Sequence, residues 1–318
     1  MKLIVTIDTE EDNWGDFRRD GWTLQNIDCV PALQGLFESY GVIPTYMVTY
    51  AAATGDRSRS ILREISQSGK CEIGAHCHPW HTPPLEETMG ARNSMLCNLP
   101  PALQHAKIRY LHAAIQEHLG VVPKSFRSGR WGYGPEVALA LVDLDYAVDS
   151  SIAPYCDWTP SYGPDFSGIS PSPFRFSPDR IYTPVPDGPL LEVPATIGYA
   201  QPDFSRANRT YQRVRKWSGN GRGWVALLRK LGVANRIWLS PETSSAGDMI
   251  QLARVMMRTG HPLLNMVLHS PALAAGLTPF VRTPNARRDF LRRIETFLRF
   301  TRSADIESIA LSEAVRCV

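Results

Sequence analysis

The chain has 318 residues, 43% of them hydrophobic and 20% charged, which excludes a disordered polypeptide and allows a sizeable core. Its formal charge of +3 is near neutral and does not by itself imply a nucleic-acid partner. The six cysteines (Cys29, Cys71, Cys77, Cys97, Cys156, Cys317) are scattered and form no CxxC pair, so reduced thiols in a cytoplasmic protein are expected rather than a zinc knuckle or a disulfide framework.

The N-terminal "MKLIVTIDTEED" has an apolar run that ends at Asp8, shorter than a signal peptide requires. No stretch approaches the ~18 apolar residues of a membrane span. "KLIVTID" suits a short buried strand, "PALQGLFESYG" a helix with a Gly stop, and "IPTYMVTY" a second strand. "RSRSILREISQSG" is a helix ending at Gly69, and "CEIGAH" a third strand. The pattern continues with a helix over 102–119, a strand over 124–127, a helix over 135–142 and a strand over 146–150. Strands alternating with helices predict parallel βαβ units. The rhythm breaks over 153–188, a stretch rich in Pro, Ser, Gly and aromatics that reads as an ordered excursion on one face. "LLEVPAT" resumes a strand. A basic segment follows, with no acidic residue between Asp203 and Glu242. A helix over 246–259, the strand "LLNMVLHS", a helix over 285–300 and a short terminal element "IESIALSEAV" close the chain. The expected architecture is one α/β domain over 1–318, a (β/α) barrel with a loop-rich insertion at 153–188 and a basic insertion at 203–236. Single barrels of this class run to ~250 residues, so the length fits.

Active sites of parallel α/β barrels form at the C-terminal ends of the strands. Five strand ends here carry polar groups: "IDTEEDNW" (Asp8, Glu10, Glu11, Asp12), "HCHPWH" (His76, His78, His81), "FRSGRWG" (Arg127, Arg130), "VDSS" (Asp149) and "VLHSP" (His269). In an extended segment, residues two apart point the same way, so His76 and His78 can face one ion. A Glu-His-His set with open positions suits zinc or a similar divalent ion with a catalytic water.

Taken together, "TIDTE", "GVIPTYMVT", "EIGAHCH", "FRSGRWG" and "VLHSP" occur in the order in which a known family carries its landmarks. The chain resembles the polysaccharide deacetylases, the NodB-homology or carbohydrate esterase family four group, and within it a bacterial subgroup carrying HxHPW. The resemblance runs from the first strand to about Phe300. It implies a distorted (β/α) barrel that removes acyl groups from sugars with a metal-activated water. It assigns Asp8 as catalytic base, Glu10 and His76 as metal ligands, Arg127 as the group orienting the base, Asp149 as the carboxylate steering the acid histidine, and His269 as general acid. The implied cofactor is a divalent metal, foremost zinc. The implied substrate is an N-acylated amino sugar or glycan, lipid- or nucleotide-linked, in surface-glycan synthesis, with no nucleic acid involved.

Two departures from the family pattern stand out. Trp80 occupies the place of the second histidine at the usual four-residue spacing, and Thr9 the place of the second Asp. The second histidine ligand is then His78, favoured because it lies two residues from His76, or His81 if Pro79 bends the chain back. Of Glu11 and Asp12, either could line the rim or cap a turn, Asp12 being the stronger candidate for the site. Trp80, Trp131, Arg130 and Glu242 are the candidate substrate contacts, Trp158 a further aromatic that could stack on a sugar. "GNGRGW" (219–224) has the look of a nucleotide loop but follows no strand. "WVALLRKLG" combines apolar and basic residues at helical spacing. It is either a solvated insertion helix or a peripheral membrane or phosphate contact within 206–236. Rival readings of the whole are a hydrolase of another C–N bond, such as a cyclic amide or formamide, and an inactive glycan-binding module.

Overall fold

The computed structural model of the protein describes residues 1–12, 14–217 and 222–318. Its strands are β1 (Lys2–Thr9), β2 (Pro44–Val48), β3 (Glu72–Cys77), β4 (Ser125–Ser128), β5 (Val148–Asp149), β6 (Phe174–Phe176), β7 (Leu190–Glu192), β8 (Ile197–Tyr199), β9 (Arg236–Trp238), β10 (Leu263–His269) and β11 (Glu307–Ser308). Its helices are α1 (Val30–Ser39), α2 (Tyr50–Thr54), α3 (Asp56–Gln67), α4 (Pro101–Leu119), α5 (Pro135–Asp143), α6 (Phe204–Trp217), α7 (Arg222–Lys230), α8 (Ala246–Arg258) and α9 (Pro284–Ser303). The main sheet runs β10-β1-β2-β3-β4-β5-β7-β6, with β11 beside β1. Its pairings are parallel except β6 with β7. The sheet curls, with helices outside it, into the expected distorted (β/α) barrel.

The alternation of β1 explains how the barrel is filled. Leu3, Val5 and Ile7 join the large core under the helices, whereas Ile4 joins a smaller cluster with Met47, Val148, Leu191, Leu263 and Leu311 that forms the floor of the barrel. Successive strand residues face opposite sides, so Thr6 and Asp8 stand above Ile4 inside the barrel. Below the floor, Leu311 N–H donates to Thr45 Oγ1 (3.0 Å) and Ser312 N–H to Glu72 Oε2 (3.0 Å), which closes the bottom. The gap between β10 and β7 is bridged by irregular backbone: Thr196 N–H to Asn265 O (3.1 Å), Leu239 N–H to Thr196 O (2.8 Å) and Val267 N–H to Leu239 O (3.1 Å).

Segment 153–188 is tied to the body by β6 and by the buried Phe166, Phe176 and Ile181. Segment 203–236 carries α6 and α7 and leads from β8 to β9, which pair with each other as a separate antiparallel ribbon. The "GNGRGW" stretch lies largely outside the described residues. No helix among the described residues is long and apolar enough to cross a membrane.

A buried lysine fixes the loop after β3. Lys107 of α4 is fully buried, and its Nζ donates to the carbonyls of Pro79 (2.8 Å), Thr82 (2.7 Å) and Pro84 (2.7 Å) and lies 2.9 Å from Glu87 Oε2. Three ammonium protons thus meet three backbone oxygens that the double proline leaves without a ladder. Replacing Lys107 by Ala leaves the buried Glu87 carboxylate only a 3.7 Å ion pair with the part-exposed Arg19 and is expected to lower the unfolding free energy by about 3 kcal/mol. A urea transition measures this. The double variant Lys107→Met/Glu87→Leu is expected to lose clearly less.

Candidate active site

Strand register sets the site. Asp8 lies beside His269 across β1–β10, and His76 beside Arg127 across β3–β4. Arg127 is 1% exposed and reaches across the barrel interior from β4 to β1. Its Nη1 donates to Asp8 Oδ1 (2.5 Å), its Nη2 to Thr6 Oγ1 (2.8 Å) and Ser150 Oγ (2.9 Å), and its Nε to the Ser150 carbonyl (2.9 Å). Burial pushes the Asp8 carboxyl up, but Arg127, His76 and His269 outweigh it and hold it down at about 2.

Above Asp8, Glu10, His76 and His78 offer ligand atoms that all lie within 4.8 Å of one another. Glu10 Oε2 is 3.5 Å from His76 Nε2 and 3.2 Å from His78 Nε2. The other ring nitrogen of each histidine is engaged. His76 Nδ1 lies 3.0 Å from the Arg127 carbonyl, and His78 Nδ1 lies 2.7 Å from Glu11 Oε1. An Nδ1–H donated to either acceptor leaves the Nε2 lone pair facing Glu10. The chain at Gly129 must pass close to this cluster: a Cβ there would fall inside contact distance of the His78 ring and 2.7 Å from the Cys77 carbonyl oxygen.

The loop after β3 bends back, since His81 N–H and Thr82 N–H both donate to the His78 carbonyl (3.2 and 3.1 Å). His81 does not thereby join Glu10 and His76. Its Nδ1 sits 3.0 Å from Glu11 Oε1, behind His78. Trp80 is buried, stacks on His78 with centroids 4.2 Å apart, and donates Nε1–H to the same Glu11 oxygen (3.3 Å). Glu11, not Asp12, is therefore the second acidic residue of the cluster. Asp12 closes a loop instead: its carboxylate accepts from Thr23 Oγ1, Gln25 N–H and Asn26 Nδ2.

His269 has an exposed edge, its side chain 21% accessible against 3–8% for those of Asp8, Glu10, His76 and His78. Its Nε2 faces Asp8 Oδ2 at 3.5 Å, and its Nδ1 meets Glu242 Oε2 at 2.9 Å. Burial works against charge on this ring, but Glu242, Glu10 and Asp8 together raise it to about 9. The carboxylate on the imidazole is thus Glu242 and not Asp149. The reason is strand parity. Val148 of β5 and Ser150 just after it point into the barrel, so Asp149 between them points to the helix layer. There it accepts from Ser151 Oγ (2.7 Å) and sits across the strand pair from Glu192. Burial raises both carboxyls, Asp149 to about 6 and Glu192 well above the usual range.

These groups open on a cavity of about 370 Å³ walled by Trp14, Phe17, Trp80, Trp131, Trp158, Trp238 and Phe280. Trp14 meets His269 edge-on at 4.6 Å, and Trp131 meets Trp238 at 6.3 Å. Arg130 and Trp131 also line the cavity and both hold left-handed backbone (φ 55° and 63°). Such backbone is costly for non-glycine residues and is concentrated at functional sites. The Arg130 guanidinium lies 4.4 Å over the Phe17 ring. Of the candidate substrate contacts, Trp80, Arg130 and Trp131 border the cavity, whereas Glu242 borders it while bonded to His269. Trp14, Phe17, Trp238 and Phe280 were not singled out in the sequence, where each is an isolated aromatic in a loop or short strand.

No protein-family model matches the sequence, and no curated protein matches it. The fold is shared with solved structures. A protein described as a polysaccharide deacetylase from Mycobacterium smegmatis superposes with a TM-score of 0.55 at 17% identity, covering 99% of this chain and 90% of that one. One described as a glycoside hydrolase or deacetylase from Parabacteroides distasonis has a TM-score of 0.59 at 12% identity, covering 98% and 69%. A 4-alpha-glucanotransferase from Thermococcus litoralis matches with a TM-score of 0.52 at 11% identity, over 100% of this chain and 40% of that one. The chain therefore has the polysaccharide deacetylase type of barrel.

The close packing at Gly129 yields a prediction. Gly129→Ala must push the His78 ring or the Cys77 carbonyl aside and is expected to cost about 1–3 kcal/mol. A thermal or urea transition indistinguishable from wild type would contradict this packing.

Proposed function

We propose that the protein is a metal-dependent hydrolase that removes an N-acyl group, foremost acetyl, from an amino sugar. One observation carries the reading: Glu10, His76 and His78, the Arg127-held Asp8 and the Glu242-held His269 converge on one cavity. The deacetylase-described structures that share the fold support the reaction class.

The residues fit a divalent ion on two grounds. The two Nε2 atoms face Glu10 while the Nδ1 atoms are held by acceptors behind them, the arrangement of metal-ligating histidines. The cluster is also short of positive charge: burial opposes a proton on His78, yet Glu11 and Glu10 pull this ring up to about 10. A cation held by Glu10, His76 and His78 supplies that charge, and the nitrogen-and-carboxylate set suits zinc. When bound, the ion supplies Lewis-acid polarisation of the acyl carbonyl and lowers the pKa of a nearby water.

The remaining groups have separate tasks. Arg127 occupies Asp8 Oδ1 and keeps the carboxylate charged and fixed, which leaves Oδ2 to accept the proton of the attacking water. The water oxygen bonds to the acyl carbon. As the C–N bond breaks, His269 donates its Nε2 proton to the departing nitrogen, and Glu242 holds the ring in place and charged. The products are a carboxylic acid and a free amine. The aromatic wall offers flat apolar faces to the C–H faces of a sugar, with Trp131 among them and Arg130 a donor for its hydroxyls, while the Trp80 ring is taken up by stacking on His78. The cavity lies toward the small end of the ~300–1,000 Å³ typical of ligand sites, which suits one sugar unit. The setting we propose is cytoplasmic, on a lipid- or nucleotide-linked sugar in the assembly of a surface glycan.

The test is elemental analysis followed by an acetate-release screen over nucleotide- and lipid-linked N-acetyl sugars. A stoichiometric divalent metal and release from at least one of them are expected. Bound metal without acetate release from any would contradict the substrate class. His76→Ala is expected to lose both metal and turnover. Asp8→Asn is expected to keep the metal and lose at least about 100-fold in kcat. Equal metal content in wild type and His76→Ala would remove the ligand assignment. Glu11→Gln weakens the acceptor behind His78 and is expected to lower metal affinity by about 10–100-fold, read by competition with a chelating dye.

A further inference from the structure

We infer that the exposed face of α6, together with the exposed apolar residues of 224–233, is a docking surface for an anionic lipid bilayer. From 204 to 236 the chain has nine Lys and Arg and no Asp or Glu. The structure sorts these charges. Phe204, Ala207 and Tyr211 turn α6 inward and are buried. Arg206, Arg209, Arg213 and Lys216, three or four residues apart, therefore form one stripe along its opposite, exposed face. Arg236 is not part of this stripe, because it bonds the Tyr155 carbonyl and covers the Tyr211 ring.

Beside the basic stripe stands an apolar ridge open to solvent. Trp217 is 77% exposed, and on and after α7 Trp224 is 50%, Leu227 39%, Leu231 65% and Val233 45% exposed. Trp224, Leu227 and Leu231 share one helical face by their spacing. The two tryptophan rings pack on each other at 5.6 Å and join the ridge to the end of α6. Isolated exposed apolar residues need no explanation, but five in one segment mark an interaction surface.

The combination selects the occupant. Tryptophan rings sit at the headgroup level of a bilayer, leucine and valine side chains enter the acyl boundary, and Lys and Arg face anionic headgroups. A nucleic acid would satisfy the cations and the indoles but would leave Leu227, Leu231 and Val233 against water. The surface is also near the cavity. Trp238, which lines it, follows Leu231 by seven residues, so the two lie within about 25 Å. A substrate on an amphiphilic carrier could thus be reached by a protein seated on the same membrane.

The test is sedimentation of the full chain with vesicles of phosphatidylcholine alone or with one quarter phosphatidylglycerol. Binding to the anionic vesicles and much weaker binding to the neutral ones is expected, with the difference shrinking as salt is raised. Each basic residue near an anionic surface strengthens binding by roughly fivefold, so Arg209→Glu/Arg213→Glu/Lys216→Glu is expected to lose more than about 100-fold. Trp217→Ser/Trp224→Ser is expected to lose at least about tenfold. Unchanged thermal midpoints establish that the variants fold, and the salt titration of the wild type tests the proposal without any variant. Wild type that stays in the supernatant, either variant binding like wild type, or binding to a single-stranded oligonucleotide in place of vesicles would each overturn the inference. None of these readouts depends on the hydrolase reading.

Discussion

A guanidinium buried in the middle of a barrel constrains everything around it. Arg127 has no water to solvate it, so each of its donors requires a protein oxygen. Those oxygens come from two places outside β4, which carries Arg127 itself: Thr6 and Asp8 on β1, and Ser150 just after β5. Adjacent strands lie about 4.8 Å apart along a sheet, and β4 is three strands from β1, so the bond to Asp8 is possible only because the sheet curls. Asn265 extends the same network. It meets Thr6 Oγ1 and Ser150 Oγ and reaches the carbonyls of Val193 and Pro194, at the gap where the ladder is interrupted. Curvature and site chemistry thus rest on the same polar interior.

The second constraint is charge. Asp8, Glu10, Glu11 and Glu242 are buried around a cavity in which Arg127 is the buried permanent cation among the described residues. Each carboxylate is drawn to an imidazole, and the imidazoles rise accordingly, His78 to about 10 and His269 to about 9. The two histidines differ in what they can do with that proton. His78 is enclosed between Glu10, Glu11 and Trp80, whereas His269 has an open edge toward the cavity. One position suits a ligand and the other a proton donor, although both begin as a histidine at the end of a parallel strand.

Much of this was legible in the sequence, because the strand–helix rhythm and the polar strand ends are local signals. The HxH spacing of His76 and His78 and the Asp8–Glu10 spacing follow from period-two geometry, and His269 shows as a lone histidine at a strand end. What was not legible depends on neighbours. Asp149 and Ser150 are adjacent, and only the inward-facing Val148 reveals which of them enters the barrel. Glu11 and Asp12 are equally acidic, and the choice between them is made by a loop that Asp12 closes on Thr23, Gln25 and Asn26. Glu242 looked like a rim residue because its partner, His269, is 27 positions away. Lys107 carried no signal, since a lysine in a helix is usually solvated, and its role appears only where three carbonyls of the proline-rich loop gather around it. The same loop decides His81, which the bend delivers to Glu11.

The proposed metal centre of Glu10, His76 and His78 binds its ion through the Nε2 atoms of its two imidazoles. X-ray absorption at the zinc edge of the zinc-loaded protein addresses this directly. It should show two imidazole nitrogens near 2.0–2.1 Å with the remaining ligands oxygen. A sulfur ligand near 2.3 Å, or a shell with no imidazole scattering, would contradict it.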